Sequence, residues 1–216
     1  MKRTEVEYGD TIRIVRLEID PENEENVNRW YNEEHEPLLR KVPGVIATFK
    51  GKILDENGQK YCFLYVHENL DVQKSDLYGE TSSTKWAKEV RPFLKNFDGR
   101  NYKVVVPSRL PLNLKKGNII RRVEFDVARE HEQEFNDWFT KEHIPALSKV
   151  PGMMNIWLAV NLGDTAQKYL AVYFQENISV QQLQDFKEAF QTNWLKKPLS
   201  FLKDHIVTNY EVYVDF

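Results

Sequence analysis

The sequence predicts an α+β protein built from two copies of one β-α-β-β-α-β module, with the two sheets packed face to face. The first observation behind this is an internal repeat, in which the stretch from Trp30 to Gly44 returns as the stretch from Trp138 to Gly152. The offset, 138 − 30 = 108, is half of the 216 residues. The same offset relates other pairs of aromatic residues: Tyr61 and Tyr169, Tyr65 and Tyr173, Trp86 and Trp194, Tyr102 and Tyr210. An ungapped repeat of this length indicates a duplication.

The second observation is that both halves show the same order of strand and helix patterns. In the first half, β-branched and apolar runs predict strands, and Asp20-Pro21 has the composition of a helix start. Pro43-Gly44 ends that helix, and Asn57-Gly58 is typical of a hairpin turn. The predicted strands are 12–19, 45–54, 60–67 and 101–106, and the predicted helices are 20–40 and 83–96.

The second half repeats this order. The predicted strands are 118–127, 153–162, 168–175 and 206–214, and the predicted helices are 130–147 and 180–203. The stretch from Pro107 to Gly117, with two prolines, a lysine pair and a glycine, separates the halves. We therefore divide the chain into a first module (1–107), a linker (108–117) and a second module (118–216).

The strand patterns also predict how the modules pack. The runs from Tyr61 to Val66 and from Tyr169 to Phe174 are apolar on both alternating faces, as in strands buried on both sides. A four-stranded sheet with helices on one face leaves its other face bare, and pairing the two copies covers both. Charged residues alternate along the first strands of the two modules. We expect Arg16 and Arg122 to pair with carboxylates between the sheets: Glu18, Glu124 and Asp126.

Composition excludes several classes of function. The net charge is −3, the pI is about 6.0, and no basic stripe is present, which argues against a nucleic-acid binder. Cys62 is the single cysteine, so no intramolecular disulfide or cysteine-based zinc site can form. No apolar run has the length of a membrane span, and we expect a cytoplasmic protein that does not contact a membrane. No phosphate-binding glycine loop or local histidine pair is present, and we expect no cofactor and no metal.

The motif Trp-aromatic-x-x-Glu-His-x-Pro occurs once in each half. Glu34 lies four residues after Trp30 on the apolar stripe of the predicted helix, and His35 lies at its edge. Glu142 and His143 repeat this placement. A structural interpretation has each Glu paired with an arginine or amide and each His holding the helix end. A functional interpretation has both side chains in an apolar cleft, where they transfer a proton to or from a bound molecule.

This motif, followed by Val-Pro-Gly and a strand, resembles the dimeric α/β-barrel superfamily of ferredoxin-like proteins, with EthD-like and antibiotic-biosynthesis-monooxygenase-like proteins as the nearest types. The resemblance covers nearly the whole chain and implies that the duplication supplies both modules, as a monomeric pseudo-dimer. Whether this pseudo-dimer associates further stays open. The resemblance also implies that the cleft holds a ligand and that a helix histidine acts as base, assisted by a tyrosine.

The leading hypothesis is therefore a small-molecule protein, a cofactor-independent cyclase, isomerase or monooxygenase, whose partner is a small hydrophobic or aromatic molecule. His35 and His143 are the candidate bases, and Glu34 and Glu142 orient them. The candidate binding residues are aromatic and lie in equivalent pairs: Trp30 and Trp138, Tyr31 and Phe139, Tyr65 and Tyr173, Trp86 and Trp194. Two alternatives stay open, a non-catalytic binding or oligomerisation module and a haem or metal protein.

Overall fold

The computed structural model describes residues 11–56, 58–106, 113–164, 167–190 and 202–213. Within these residues, eight strands form one closed antiparallel barrel, in the order β1-β3-β2-β8-β5-β7-β6-β4. None of the described helices is long and apolar enough to span a bilayer. The predicted α+β architecture of two modules is confirmed.

The first module contributes four strands: β1 (Thr11–Ile19), β2 (Val45–Ile53), β3 (Tyr61–His67) and β4 (Leu94–Val106). Its first helical arm runs from a 3₁₀ turn (Pro21–Asn23) through α1 (Glu24–Trp30) and a π-helical turn (Tyr31–His35) to α2 (Glu36–Leu39). After β3 come a 3₁₀ turn (Leu70–Lys74), α3 (Asp76–Glu80), α4 (Lys85–Val90) and a 3₁₀ turn (Arg91–Phe93).

The second module repeats the order with β5 (Ile119–Val127), β6 (Met153–Asn161), β7 (Tyr169–Gln175) and β8 (Leu202–Val212). Its helical arm contains a 3₁₀ turn (Arg129–His131), α5 (Glu132–Trp138), a π-helical turn (Phe139–His143) and α6 (Ile144–Leu147). A 3₁₀ turn (Ile178–Gln182) and α7 (Gln184–Ala189) follow β7. Part of the predicted linker, 108–112, and Asn57 of the predicted hairpin turn lie outside the described residues.

The barrel closes because the last strand of each module pairs with the other module. β4 pairs with β1 and with β6, and β8 pairs with β5 and with β2. The predicted face-to-face packing is therefore a continuous ring of hydrogen bonds, which leaves no sheet edge. Alternate residues of the strands fill its interior, among them Ile12, Ile14, Leu64, Tyr102, Ile120, Trp157, Val172, Phe174 and Tyr210. The other face of each module's strands packs on its own helices.

Two predicted boundaries are wrong in the same way. The last strands begin at Leu94 and Leu202, whereas the sequence predicted helices through 96 and 203 and strands from 101 and 206. Leu94 pairs with Ile19 and Leu202 pairs with Val127, so pairing with the first strand of each module extends the last one. This non-local pairing overrides the local helical pattern.

Arg16 and Glu124 meet at the pseudo-twofold axis of the barrel. They occupy equivalent positions in the two copies, since 124 − 16 = 108, and Arg16 Nη1 donates to Glu124 Oε2 at 3.0 Å. A residue that contacts its own counterpart lies on the symmetry axis, where a homodimer would place two identical side chains. Opposite charges at this place require two diverged copies. The predicted ion pairing between the sheets is confirmed for Arg16 with Glu124. Arg122 also pairs with Glu124, but both residues lie on β5, so this pair stays within one module.

The remaining predicted carboxylates play a different part. Glu18 and Asp126 accept hydrogen bonds from the backbone amides of Lys60 and Lys168, at 2.9 and 2.7 Å. Inside the barrel their place is taken by Asp98, which pairs with Arg16 and Arg100. Asp98 lies on β4 in a stretch that the sequence predicted to lie between a helix and a strand, so its pairing was missed.

Gly44 shows why each helical arm ends in Val-Pro-Gly. Its φ of +86° is unfavourable for a side chain, and a Cβ atom there would lie 2.5 Å from Val72 Cγ2. We expect Gly44→Ala to lower the free energy of unfolding by about 1–3 kcal/mol, measured by urea denaturation. Gly79→Ala is the matched control, since a Cβ atom at that position would have no atom within 4 Å. Equal stability of both variants would contradict this explanation.

Candidate functional site

A cavity of about 420 Å³ lies between the helices and the outer sheet face of the first module. The walls are largely apolar and aromatic, with contributions from Val15, Leu17, Val27, Trp30, Tyr31, Phe63, Tyr65, Tyr78, Ala87 and Leu94. His35, Lys50 and Arg13 are among the polar residues that line it. A mostly apolar hollow of this size with a few polar groups is typical of small-molecule sites.

The π-helical turn places His35 at this cavity. Pro37 has no amide hydrogen for the carbonyl of Glu33, and the helix widens so that the amide of Glu36 donates to the carbonyl of Tyr31, five residues back. The residue that lies over Trp30 is then His35, five positions later. The two rings stack with centroids 4.6 Å apart.

The hydrogen bond of His35 defines its tautomer. Nδ1 lies 2.9 Å from the carbonyl oxygen of Thr81. A carbonyl only accepts, so Nδ1 carries the hydrogen and Nε2 is left with a lone pair for a molecule in the cavity. Burial lowers the pKa of His35 below its ordinary value, although the Thr81 carbonyl and the carboxylates of Glu34 and Glu36 oppose this shift. A neutral imidazole held in this way is a proton acceptor.

Glu34 lies beside the site and does not line the cavity. Its carboxylate accepts hydrogen bonds from Trp30 Nε1 at 3.1 Å and from Thr84 Oγ1 at 2.5 Å. Trp30 in turn stacks on His35. Glu34 therefore connects α4 to the helical arm and fixes the indole that supports the imidazole.

The buried carboxylate of the motif is Glu36, which sequence reasoning did not select. Its side chain accepts from Thr48 Oγ1 at 2.7 Å and pairs with Arg40. The assignment of Glu34 to the apolar stripe assumed a regular α-helix. The extra residue in the π-helical turn moves Glu36 to the sheet side in its place.

Lys50 is the second polar group of the cavity. It lies on β2, is 0% exposed, and its Nζ donates to Asn28 Oδ1 at 2.7 Å. The rings of Tyr31 and Tyr213 lie 4.8 and 4.9 Å from Nζ. Burial lowers the pKa of Lys50 to about 7, with only Glu24 opposing the shift.

In the described part of the second module, aromatic rings surround the equivalent imidazole. Its imidazole, His143, is 2% exposed and lies among Trp138, Phe139 and Phe190, with ring centroids 4.6–5.1 Å away. His143 Nε2 and the Tyr173 hydroxyl are hydrogen-bonded at 3.0 Å, and burial lowers the pKa of His143 to about 3. Bulky residues replace smaller or polar ones of the first module: Phe135 for Val27, Leu158 for Lys50 and Phe190 for Ser82.

The structure therefore brings together part of the predicted set. Trp30, Tyr31, His35 and Tyr65 line the cavity of the first module. Trp138, Phe139, His143 and Tyr173 form a packed cluster in the described part of the second module. The counterparts of the cavity-lining residues Ala87 and Arg91 lie outside the described residues, so the expectation of a cleft in this half stays a prediction. Roles for the second set stay predictions.

Three further residues of the predicted set do not join either group. Glu142 is exposed, whereas its counterpart Glu34 is half-buried. Trp86 is half-buried outside the cavity lining, and its Nε1 donates to Asn26 Oδ1 at 3.3 Å. Trp194 lies outside the described residues.

Sequence reasoning missed Lys50, Arg13 and Thr81. The available signal for Lys50 was a lysine within an apolar strand, at a position where the other copy has Leu158. Thr81 acts through its backbone carbonyl, for which a sequence carries no signal. Among the described residues, no group of three His, Cys, Asp or Glu side chains is arranged to hold a metal ion.

No protein-family model and no curated protein sequence matches the chain. Among solved structures, a monooxygenase-like protein from Lactobacillus acidophilus NCFM has a TM-score of 0.67 and 13% identity, over 93% of this chain and 92% of that one. An anthrone oxidase-like protein has a TM-score of 0.64 and 10% identity, with 94% and 91% covered. A variant of the chlorite dismutase from Candidatus Nitrospira defluvii has a TM-score of 0.61 and 11% identity, with 95% and 92% covered.

TM-scores of 0.61–0.67 show a common fold, and identities of 10–13% leave the activity open. The similar structures span nearly the full length of this chain, so the likeness includes both modules and the closed barrel. The chain therefore shares the fold of these proteins, with two ferredoxin-like modules in one polypeptide that close a single antiparallel barrel.

Proposed function

We propose that the chain is an enzyme that removes a proton from a small apolar or aromatic molecule bound in the first module. The observation that carries this proposal is the cavity beside His35, whose Nδ1 is held by the Thr81 carbonyl. Nε2 takes the proton from an acidic C–H or O–H group, and the electron pair stays on the substrate as an enolate or phenolate. This step is common to the cyclase, isomerase and monooxygenase types.

Glu34 is a positioning residue in this scheme. It holds Trp30 against one face of the imidazole, so that the ring cannot turn away from the cavity. Trp30, Tyr31 and Tyr65 provide the aromatic walls that bind the substrate. The names of the similar structures, a monooxygenase-like and an anthrone oxidase-like protein, agree with an aromatic substrate that has an acidic C–H group.

The test is proton exchange with anthrone and β-tetralone, which both have an acidic methylene group. The rate of deuterium uptake at this group, followed by NMR in D₂O under nitrogen, isolates proton removal from any later reaction. We expect His35→Gln to lower the catalysed rate by about 10²–10³-fold, because Gln cannot act as the base. His205→Gln is the matched control, since that imidazole is exposed.

Each other outcome identifies a different function. Binding of both compounds without catalysed exchange would support the non-catalytic binding module. A Soret absorption band in the purified protein would support the haem alternative, for which a single imidazole suffices. Loss of exchange in His143→Gln at an unchanged melting temperature would support the role predicted for the second module.

A further inference from the structure

The charges that line the cavity are all positive. Arg13, Lys50 and Arg91 contribute to its walls, and no Asp or Glu is among the lining residues that the structure describes. Arg13 donates to the neutral side chains of Gln73 and Asn101, at 3.2 and 3.3 Å. Arg91 is exposed and donates to the Ser82 carbonyl. The cavity therefore has a positive potential that nothing in its described lining neutralises.

Lys50 is the most deeply placed of these cations. Within the described part of the chain it forms no ion pair, and its one hydrogen bond goes to the neutral Asn28. The carboxylate of Glu24 is already engaged by Lys60, Lys52 and the Tyr61 hydroxyl. A buried ammonium group without a counter-ion is unfavourable, so this site is incomplete without a negative group.

Tyr31 offers a second donor at the same place. Its side chain is 2% exposed, and its hydroxyl lies close to the Tyr65 phenol without a hydrogen bond to any other group of the described structure. The Tyr31 ring is 4.8 Å from Lys50 Nζ and lines the cavity. A buried hydroxyl that is not bound to a backbone or charged group can donate to an acceptor on a ligand.

The second module provides an internal comparison. It has the same strands and helices, but Leu158 stands in place of Lys50 and Phe139 in place of Tyr31. Both are buried in the cluster that fills the space around His143. The fold therefore does not require an amine and a hydroxyl at these positions. The amine and the hydroxyl occur only in the first module, at its cavity.

We propose that the cavity binds an apolar small molecule carrying one anionic oxygen group, a carboxylate, enolate or phenolate, and that Lys50 and Tyr31 bind this group. The inference rests on the proposed function and specifies its substrate class. An enolate formed by proton transfer to His35 has the same charge, so these donors would also stabilise the product of that step.

Binding of an anion should change the protonation of Lys50. The titratable groups that face Lys50 are Glu24 on α1, Tyr31 on the π-helical turn, Tyr61 on β3 and Tyr213 after β8, with His35 on the same cavity. Burial raises the pKa of the three tyrosines, so these stay neutral near pH 8. An anion beside Lys50 raises the pKa of the amine, and the complex takes up a proton.

The experiment is isothermal titration calorimetry of the full chain with β-naphthoate and β-naphthamide. These probes share an apolar ring system and differ in charge. We expect β-naphthoate to bind about 10- to 100-fold more tightly. At pH 8, its binding enthalpy should depend on the ionisation enthalpy of the buffer, which reports proton uptake. β-Naphthamide should show no such dependence.

Three variants separate the contributions. Lys50→Leu installs the residue of the second module and should abolish both the preference for β-naphthoate and the proton uptake. Tyr31→Phe likewise copies the second module and should weaken binding of β-naphthoate by about 10- to 100-fold, the effect of one hydrogen bond to a charged group. Lys52→Leu removes a half-exposed lysine from the same strand and should retain the preference.

Equal affinities for the two probes, or a preference that survives in Lys50→Leu, would overturn the inference and leave the cavity as an uncharged apolar site. That result would leave the proposed function standing, because the proton-exchange assay tests it separately. Absence of binding by both probes at millimolar concentration would overturn the inference and also contradict a small-molecule site in the first module.

Discussion

Replacing Glu124 with leucine is expected to lower the free energy of unfolding by about 3–5 kcal/mol. Glu124 is 1% exposed, and its carboxylate pairs with Arg16, Arg100 and Arg122. It also accepts from the Tyr102 hydroxyl at 2.9 Å. Burial alone would raise the pKa of Glu124, but Arg122 and Arg16 lower it, so the carboxylate is charged at neutral pH.

The large effect comes from what Glu124→Leu leaves behind. Arg122 is 0% exposed, and Glu124 is its ion-pair partner within the described structure. The loss should be measured by urea denaturation at neutral pH. Glu124→Gln keeps the shape of the side chain and removes its charge. Its free energy of unfolding should therefore fall by most of the amount lost in Glu124→Leu.

A double variant tests the explanation. Ile14 is the counterpart of Arg122 in the first module, since 122 − 14 = 108. Arg122→Ile combined with Glu124→Leu removes the buried cation together with its partner. We expect this variant to be more stable than Glu124→Leu alone by about 1–3 kcal/mol. A double variant that is less stable than the single one would show that Arg122 stabilises the barrel by other contacts.

Lys50→Leu is expected to stabilise the protein at pH 7 by about 2–5 kcal/mol, and this advantage should vanish by about pH 10.5. The pKa of Lys50 falls from its ordinary 10.5 to about 7 in the folded protein. This difference in pKa corresponds to a cost of roughly 5 kcal/mol for burying the charged amine. Relaxation of the surroundings reduces this value. Asn28 Oδ1 keeps a donor in the variant, because the Tyr213 hydroxyl lies 2.7 Å away.

The direction of the pH dependence follows from proton binding. Below pH 7 both states carry the ammonium group, and the folded state bears the full penalty of burying it. Between pH 7 and 10.5 the unfolded state binds a proton that the folded state has released, so the free energy of unfolding rises with pH. Lys50→Leu lacks this rise.

Chemical denaturation of Lys50→Leu and of the parent protein at several pH values measures the difference in their free energies of unfolding. Groups other than Lys50 titrate in both proteins, so their contributions cancel in this difference. Lys52→Leu should show no comparable pH-dependent difference, because its side chain is half-exposed. A stability difference between Lys50→Leu and the parent that is constant with pH would mean that the aromatic rings and Asn28 hold Lys50 charged in the folded state.

The limits of prediction are clearest in the helical arm. Capping residues and the spacing of apolar side chains correctly predicted a helix that begins near Pro21 and ends before Pro43. The same spacing placed Glu34 on the buried stripe, where the structure has Glu36. The difference is one residue in a π-helical turn. Pro37 removes a hydrogen-bond donor, and the sequence does not show how the backbone compensates.

The two modules also differ in a way that no pattern of motifs predicts. Both keep Trp, Glu, His and Pro at equivalent positions, which led to the expectation of two clefts. Whether a hollow remains depends on the summed volume of side chains from several elements. Val27 and Ser82 leave room beside His35, whereas Phe135 and Phe190 are larger at the equivalent positions.

The sequence by itself determined that the chain is a duplicated β-α-β-β-α-β module and that charges face one another between the copies, because a repeat and an alternation of polarity are properties of the chain. Only the tertiary structure decided that β4 and β8 cross to the other module and close the barrel. Only the structure placed Lys50 and Arg13 around the cavity beside His35. Strand pairing, side-chain volume and desolvation depend on residues far apart in sequence, and these determine which charged groups lie around the cavity.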